Sequence, residues 1–208
     1  MLRTLAAGFV LALSFDAAAK CAPKNVLKVV MVIEQPDAAP DSFAAAPRTL
    51  YRTGELLGRI EEPPNAETGL HLLFIVNGAD VWVVDRNART GQHMVDPGPD
   101  LGFVAPIVSE GTKSEYWNNF EYGCEVPFMK AVGAVPREMP DGGQLYVHSK
   151  EGITVRLLTA KNGKPARIEL SGPGNDFSVV YKVFEEVPDA SAELFAKPAG
   201  VEFTERPQ

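Results

Sequence analysis

Residues 70–85 read LHLLFIVNGADVWVVD, and this stretch narrows the possible folds more than any other in the chain. Two apolar runs rich in β-branched and aromatic residues flank Asn77-Gly78, a pair suited to a tight hairpin because both turn positions tolerate positive φ. The runs HLLFIV and VWVV are apolar on nearly every residue. An antiparallel strand with one wet face alternates, so continuous apolarity demands cover on both faces. One face is expected to lie under helices or loops. The other is expected to line a closed or half-closed interior, as in barrels that hold apolar ligands.

The rest of the chain extends the same theme. VLKVVMVIE (26–34) reads as a strand, and QPDAAPDSFAAAP (35–47) as a loop whose prolines forbid a stable helix. TLYRTGELLGRIEE (49–62) reads as one long strand or two short ones kinked at Gly54, with Gly58 marking a curve or bulge. A second hairpin is expected over 153–170, turned by Asn162-Gly163, followed by a strand at 176–187; GGQLYVHS (142–149) adds one more. Helix is scarce. Residues 114–134 hold one or two short helices, with Gly123 and Pro127 as breakers, and DASAELFAKP (189–198) holds one helical turn capped by Asp189 or Ser191. About eight to ten strands joined by short turns predict a mainly β fold. The short connections make the sheet antiparallel, with an interior that is closed or half-closed.

The first residues, MLRTLAAGFVLALSFDAAAKC, place Arg3 before a short apolar run and Ala17-Ala18-Ala19 at its end. This reads as a signal peptide over 1–19 cleaved before Lys20, leaving 20–208 as a single domain in the periplasm or secreted. The run is too short to cross a bilayer, which takes about 20 apolar residues, so no transmembrane segment is expected in the mature chain. Lipidation of Cys21 ranks behind, because Lys20 suits that processing poorly. Net charge is −7, which argues against nucleic acid as a partner. The two cysteines, Cys21 and Cys124, are expected to pair as a disulfide in an oxidising compartment; the alternative is two buried thiols.

The order of elements resembles the periplasmic lipoprotein-carrier (Lol-type) fold, or an exported family that shares it. The resemblance rests on the leader, the hairpin LFIVNGADVWVVD, a mid-chain helical insert, VRLLTAKNGKPARIEL running into VVYKVF, and the ending ELFAKPAGVEF. It implies a strongly curved antiparallel sheet, an unclosed half-barrel with short helices packed in or over its open side, carrying a lipid or lipid anchor.

Motifs for chemistry are missing. There is no G-x-S-x-G, no phosphate loop, no H-E-x-x-H and no C-x-x-C. An enzyme, a cofactor and a metal site are therefore not expected. GQHMVDPGPDLGF (91–103) holds His93 and Asp96, but three residues apart on a strand they face opposite ways. They meet only if the strand ends at Met94 or Val95, and the stretch is read first as a turn. His71, His93 and His148 lie on separate predicted strands with no ligand spacing. Candidate ligand-binding residues are Phe74, Trp82, Tyr51, Arg59 and His93, with Trp82 read as core or as cavity wall. Arg59 could hold an anionic head group, or could simply pair with Glu61 on the same strand face. Trp117, Phe120, Tyr122 and Phe128 are expected to plug the open side of the sheet. The resulting expectation is an exported non-enzymatic binding protein for an apolar or lipid-like ligand. The second reading is an envelope interaction or sensor module that uses the curved sheet to bind another envelope protein.

Overall fold

The structure is a computed structural model that describes residues 21–36, 38–39, 41–96, 103, 116–174, 176–188 and 190–206. The expected signal peptide and the 97–102 part of the proline turn lie outside the described residues. The strands are β1 (Val26–Glu34), β2 (Arg48–Thr53), β3 (Leu57–Glu61), β4 (Leu72–Asn77), β5 (Asp80–Asp85), β6 (Thr90–Val95), β7 (Arg137–Glu138), β8 (Gln144–Lys150), β9 (Ile153–Thr159), β10 (Pro165–Ser171), β11 (Phe177–Val187) and β12 (Glu202–Glu205). All twelve form one unclosed sheet in the order β12-β6-β5-β4-β3-β2-β1-β11-β10-β9-β8-β7. Every pairing is antiparallel except β12 with β6, which is parallel. Among the described residues the single α-helix is α1 (Glu125–Ala131), and short 3-10 turns occur at Phe43–Ala45, Trp117–Asn119 and Ala192–Phe195.

Local sequence explains most of the turns, with shifts of one or two residues. The first hairpin turns on Gly78-Ala79, not Asn77-Gly78: Asn77 pairs with Asp80 as the last rung, and only Gly78 has positive φ (64°). Glycine leading the turn is the II′ pattern, whose twist also suits a hairpin. The 49–62 stretch folds back at Gly54, with φ 58°, into two antiparallel strands. Gly58 is not at a bulge, since the register runs unbroken through it on both sides.

Pro127 does not break the helical insert. It falls in the first turn of α1, where a backbone N–H has no intrahelical acceptor to lose. The helix ends at Gly133 (φ 77°), whose N–H reaches Lys130 O while Ala134 N–H reaches Met129 O, a Schellman closure. Ser191 caps the last helical turn by accepting from Glu193 N–H.

The strand alternation sorts the side chains onto two faces. The concave face carries Leu27, Val29 and Met31 of β1, Leu50 of β2, Val76 and Val81 of β4 and β5, and Tyr146, Val155, Leu157, Ile168 and Val179 of β8 to β11. Trp117, Phe120, Tyr122, Phe128 and Met129 from the insert complete this core, which is the plugging role expected of the aromatics. The convex face of β4 and β5 has its own small core of Leu73, Ile75, Trp82 and Val84, covered by Val201 and Phe203. The continuous apolarity of this hairpin thus has two causes. The insert side covers one face only at Val76 and Val81, leaving Leu72, Phe74 and Val83 partly exposed, and the C-terminal segment covers the other.

Candidate ligand-binding site

A row of concave-face side chains runs across neighbouring strands from Leu50 through Ile60, Phe74 and Val83 to Gln92. Leu50 is buried; Ile60, Phe74 and Val83 are half-buried; Gln92 is exposed. The row therefore leaves the packed core and reaches solvent at a polar residue. Leu72, Phe74 and Val83 join neither core cluster among the described residues, while Ile60 and Met94 pack at the margin of the main one. The result is an apolar shelf formed by β3 to β6, floored by side chains that retain partial exposure.

Beside the shelf lies a buried polar knot that ties the insert to the sheet. Arg52 on β2 is 1 % exposed. Its guanidinium donates to Tyr122 O at 2.7 Å and Cys21 O at 3.4 Å, and is ion-paired with Glu121. Glu125, also 1 % exposed, accepts from the Tyr181 hydroxyl at 2.6 Å and from Gly123 N–H at 2.9 Å. Burial pushes the Glu125 carboxyl above its ordinary range, against the opposing pull of the Tyr181 bond, backbone N–H groups and Arg52. The Tyr122 and Tyr181 hydroxyls are also driven upward by burial and by Glu125, so both stay neutral. Cys21 and Cys124 are joined by a disulfide with Cα atoms 5.6 Å apart, and such a bond persists in an oxidising compartment. Phe103 lies over Gly58, with the Arg52 guanidinium 5.2 Å from its ring centre.

The five candidate ligand residues do not converge. Phe74 alone faces the shelf. Tyr51, Arg59, Trp82 and His93 occupy the convex face, because each is one residue out of phase with the concave row. Tyr51 sits directly across from Arg59. Arg59 donates to Glu61 at 2.7 Å, the same-face pairing, and to Leu194 O at 3.2 Å. Trp82 therefore belongs to the convex core, not to a cavity wall, and its ring stacks on His93 at 5.6 Å.

His93 does not meet Asp96. Its Nε2 lies 2.7 Å from Asp80 and its Nδ1 lies 2.7 Å from Glu205. Chiefly through Asp80, with Glu205 assisting, these carboxylates hold the imidazole above its ordinary 6.5 despite some desolvation. Neither partner was legible locally: Asp80 is on β5, and Glu205 is on β12, whose parallel pairing with β6 carries no sequence signal. The three histidines stay apart. His148 projects from the concave side of β8, beyond eight intervening strands from β6, where its Nε2 meets the Tyr116 hydroxyl. Among the described residues no group of three or more His, Cys, Asp or Glu could hold a metal ion, and no helix is long and apolar enough to cross a membrane.

No protein-family model matches the chain, and no curated protein matches it. Solved structures do. An uncharacterized conserved protein from Thermus thermophilus is similar over 88 % of this chain and 91 % of its own, at 12 % identity and a TM-score of 0.48. PNGF-II is similar over 88 % of this chain but 31 % of its own, at 8 % identity and a TM-score of 0.38. The LolA superfamily protein NE2245 from Nitrosomonas europaea is similar over 87 % of this chain and 94 % of its own, at 12 % identity and a TM-score of 0.37.

Proposed function

We propose that this protein is an exported, non-enzymatic carrier that holds the apolar part of a lipid or lipid anchor on the concave shelf of β3 to β6. The observation behind this reading is the graded row Leu50–Ile60–Phe74–Val83–Gln92, apolar where it meets the core and polar where it meets water. An acyl chain laid along it would lose water from its own surface and from Phe74 and Val83, at about 25 cal/mol per Å² of apolar area. The insert, pinned by Arg52 and the disulfide, would serve as the fixed wall beside it. The test is purification under mild conditions from the envelope, solvent extraction, and mass spectrometry of any lipid retained. Rebinding of that lipid should fall at least tenfold in Phe74→Gln with the far-UV spectrum unchanged. A protein that arrives empty and ignores fatty acids, phospholipids and acylated peptides would remove the carrier reading.

The alternative reading, an envelope interaction or sensor module, draws on the far edge of the sheet. There the two-residue β7 leaves an open edge, with Val135 84 % exposed just before it and Val147 45 % exposed on β8. Loss of a co-purifying protein in Val135→Asp, with lipid content unchanged, would favour it.

A further inference from the structure

The C-terminal segment crosses the convex face of β3 to β5 and encloses a groove that the concave shelf does not use. Phe195 anchors it by burial, Asn77 Nδ2 donates to Phe195 O at 3.2 Å, and Arg59 holds Leu194 O. The groove has a volume of about 710 Å³, within the range of small-ligand sites. Its apolar lining is Ala196, Pro198 and Val201, which keep exposed surface over the buried Leu73 and Val84 of the convex core. Its rim is cationic: Arg59, Arg86, Arg89 and Lys197 line it against one carboxylate, Glu193. This inverts the balance of a chain with 20 basic and 27 acidic residues.

The four cations are not equivalent. Arg59 is already paired with Glu61, and the Lys197 ammonium rests 4.7 Å over the Phe203 ring. The guanidiniums of Arg86 and Arg89, in the turn between β5 and β6, take no hydrogen bond or ion pair among the described residues. Arg89 is also held with φ at 55°, the left-handed region where glycine or asparagine is the usual occupant. Its carbonyl accepts from Glu202 N–H at 3.0 Å, which fixes this strained residue at the point where the C-terminal strand docks. A side chain kept in a costly backbone position, next to a groove and without a charge partner, is an observation that points toward function.

We propose that this groove binds an amphipathic oxyanion, a phosphate or carboxylate on a short apolar stem, with Arg86 and Arg89 gripping the anion and Ala196, Pro198 and Val201 receiving the stem. Guanidinium forks match such oxyanions in two-point fashion. The site is separate from the concave shelf, since its residues point to the opposite face of β4 and β5.

Calorimetric titration of the full chain with hexyl phosphate, hexanoate, inorganic phosphate and hexyl glucoside tests the assignment. Hexyl phosphate or hexanoate should bind at least tenfold more tightly than hexyl glucoside and than inorganic phosphate, with affinity falling as salt rises. The double variant Arg86→Ala/Arg89→Gly should lose at least tenfold in that affinity. It should remain folded, because glycine suits the φ of position 89 and both positions are exposed. Arg86→Lys/Arg89→Lys, which keeps the charge but not the fork, should recover only part of the loss. Equal binding of hexyl glucoside would show an apolar groove without anion recognition. Equal binding of inorganic phosphate would show a simple anion site. Unchanged affinity in the double variant would place the ligand elsewhere. Each of these three outcomes overturns the proposal.

Discussion

A methyl group added at Gly58 has nowhere to go. An ideal Cβ at that position falls 2.0 Å from Cε1 and Cζ of Phe103, whereas non-bonded carbons settle at about 3.5–4.0 Å. The ring must therefore retreat by about 1.5 Å or more. It is buried under Arg52, and its backbone carbonyl accepts from Tyr122 N–H at 2.8 Å. Overpacking of this kind costs about 1–3 kcal/mol, offset by about 0.5–1 kcal/mol because alanine orders more cheaply than glycine in a strand. Gly58→Ala should thus destabilise by about 1–2 kcal/mol, a downward shift of about 0.5–1 M in urea midpoint at an m of about 2 kcal/mol/M. Phe103→Ala should cost about 3 kcal/mol, the low end for a core phenylalanine, because glycine backbone forms one side of its site. In the Phe103→Ala background the clash is absent. Gly58→Ala should there be neutral or stabilising by up to about 1 kcal/mol, giving a coupling of about 2 kcal/mol. Urea unfolding with the disulfide intact, followed by far-UV circular dichroism, measures all four corners of the cycle. An equal cost for Gly58→Ala in both backgrounds would refute the idea that this glycine exists to seat the ring.

Three further outcomes are expected. Arg52→Ala should cost about 3–5 kcal/mol, since it leaves Glu121 and the Tyr122 carbonyl without their buried partner. Arg52→Lys should recover less than half of that in the same urea assay, because an ammonium cannot serve both directions. Titration of the denatured, unreduced protein should find no free thiol, and Cys124→Ser should lose about 2–5 kcal/mol, because the bond closes a loop of 103 residues; two reactive thiols would contradict the bridge. His93 has its folded pKa raised above 6.5, so its stabilising effect is fully present below about pH 6.5 and fades as pH rises through the folded value. The stability decline above that pH should flatten in His93→Asn, and limited proteolysis should release the β12 segment sooner at alkaline pH; identical pH profiles for the two proteins would show that the clasp contributes nothing.

Periodicity and turn chemistry carried the reading of this chain a long way. Continuous apolar runs with Gly78 and Gly163 between them, β-branched stretches at 26–34 and 176–187, and the paucity of helix point to a mainly β antiparallel fold, while the unclosed half-barrel with its insert is what the resemblance to the lipoprotein-carrier fold implies. Those features are local, and backbone sterics and burial act on them directly. The expectation that the two cysteines pair rests on the oxidising compartment that a leader over 1–19 would imply, and the structure joins them.

Which face each side chain takes was decided by register. A single-residue step separates Phe74 on the shelf from Ile75 in the convex core, and nothing local says which side of a two-sided apolar strand will meet the insert. Of the two places open to Trp82, core or cavity wall, it takes the core, on the face opposite Phe74. The partners of His93 and Arg52 come from far along the chain, Glu205 through the parallel β12 pairing and Tyr122 through the insert. Arg86 and Arg89 look like ordinary turn residues until the C-terminal segment folds across the convex face and gives them a groove to guard. Each of these depends on contacts between distant segments, which form only when the whole sheet closes its register.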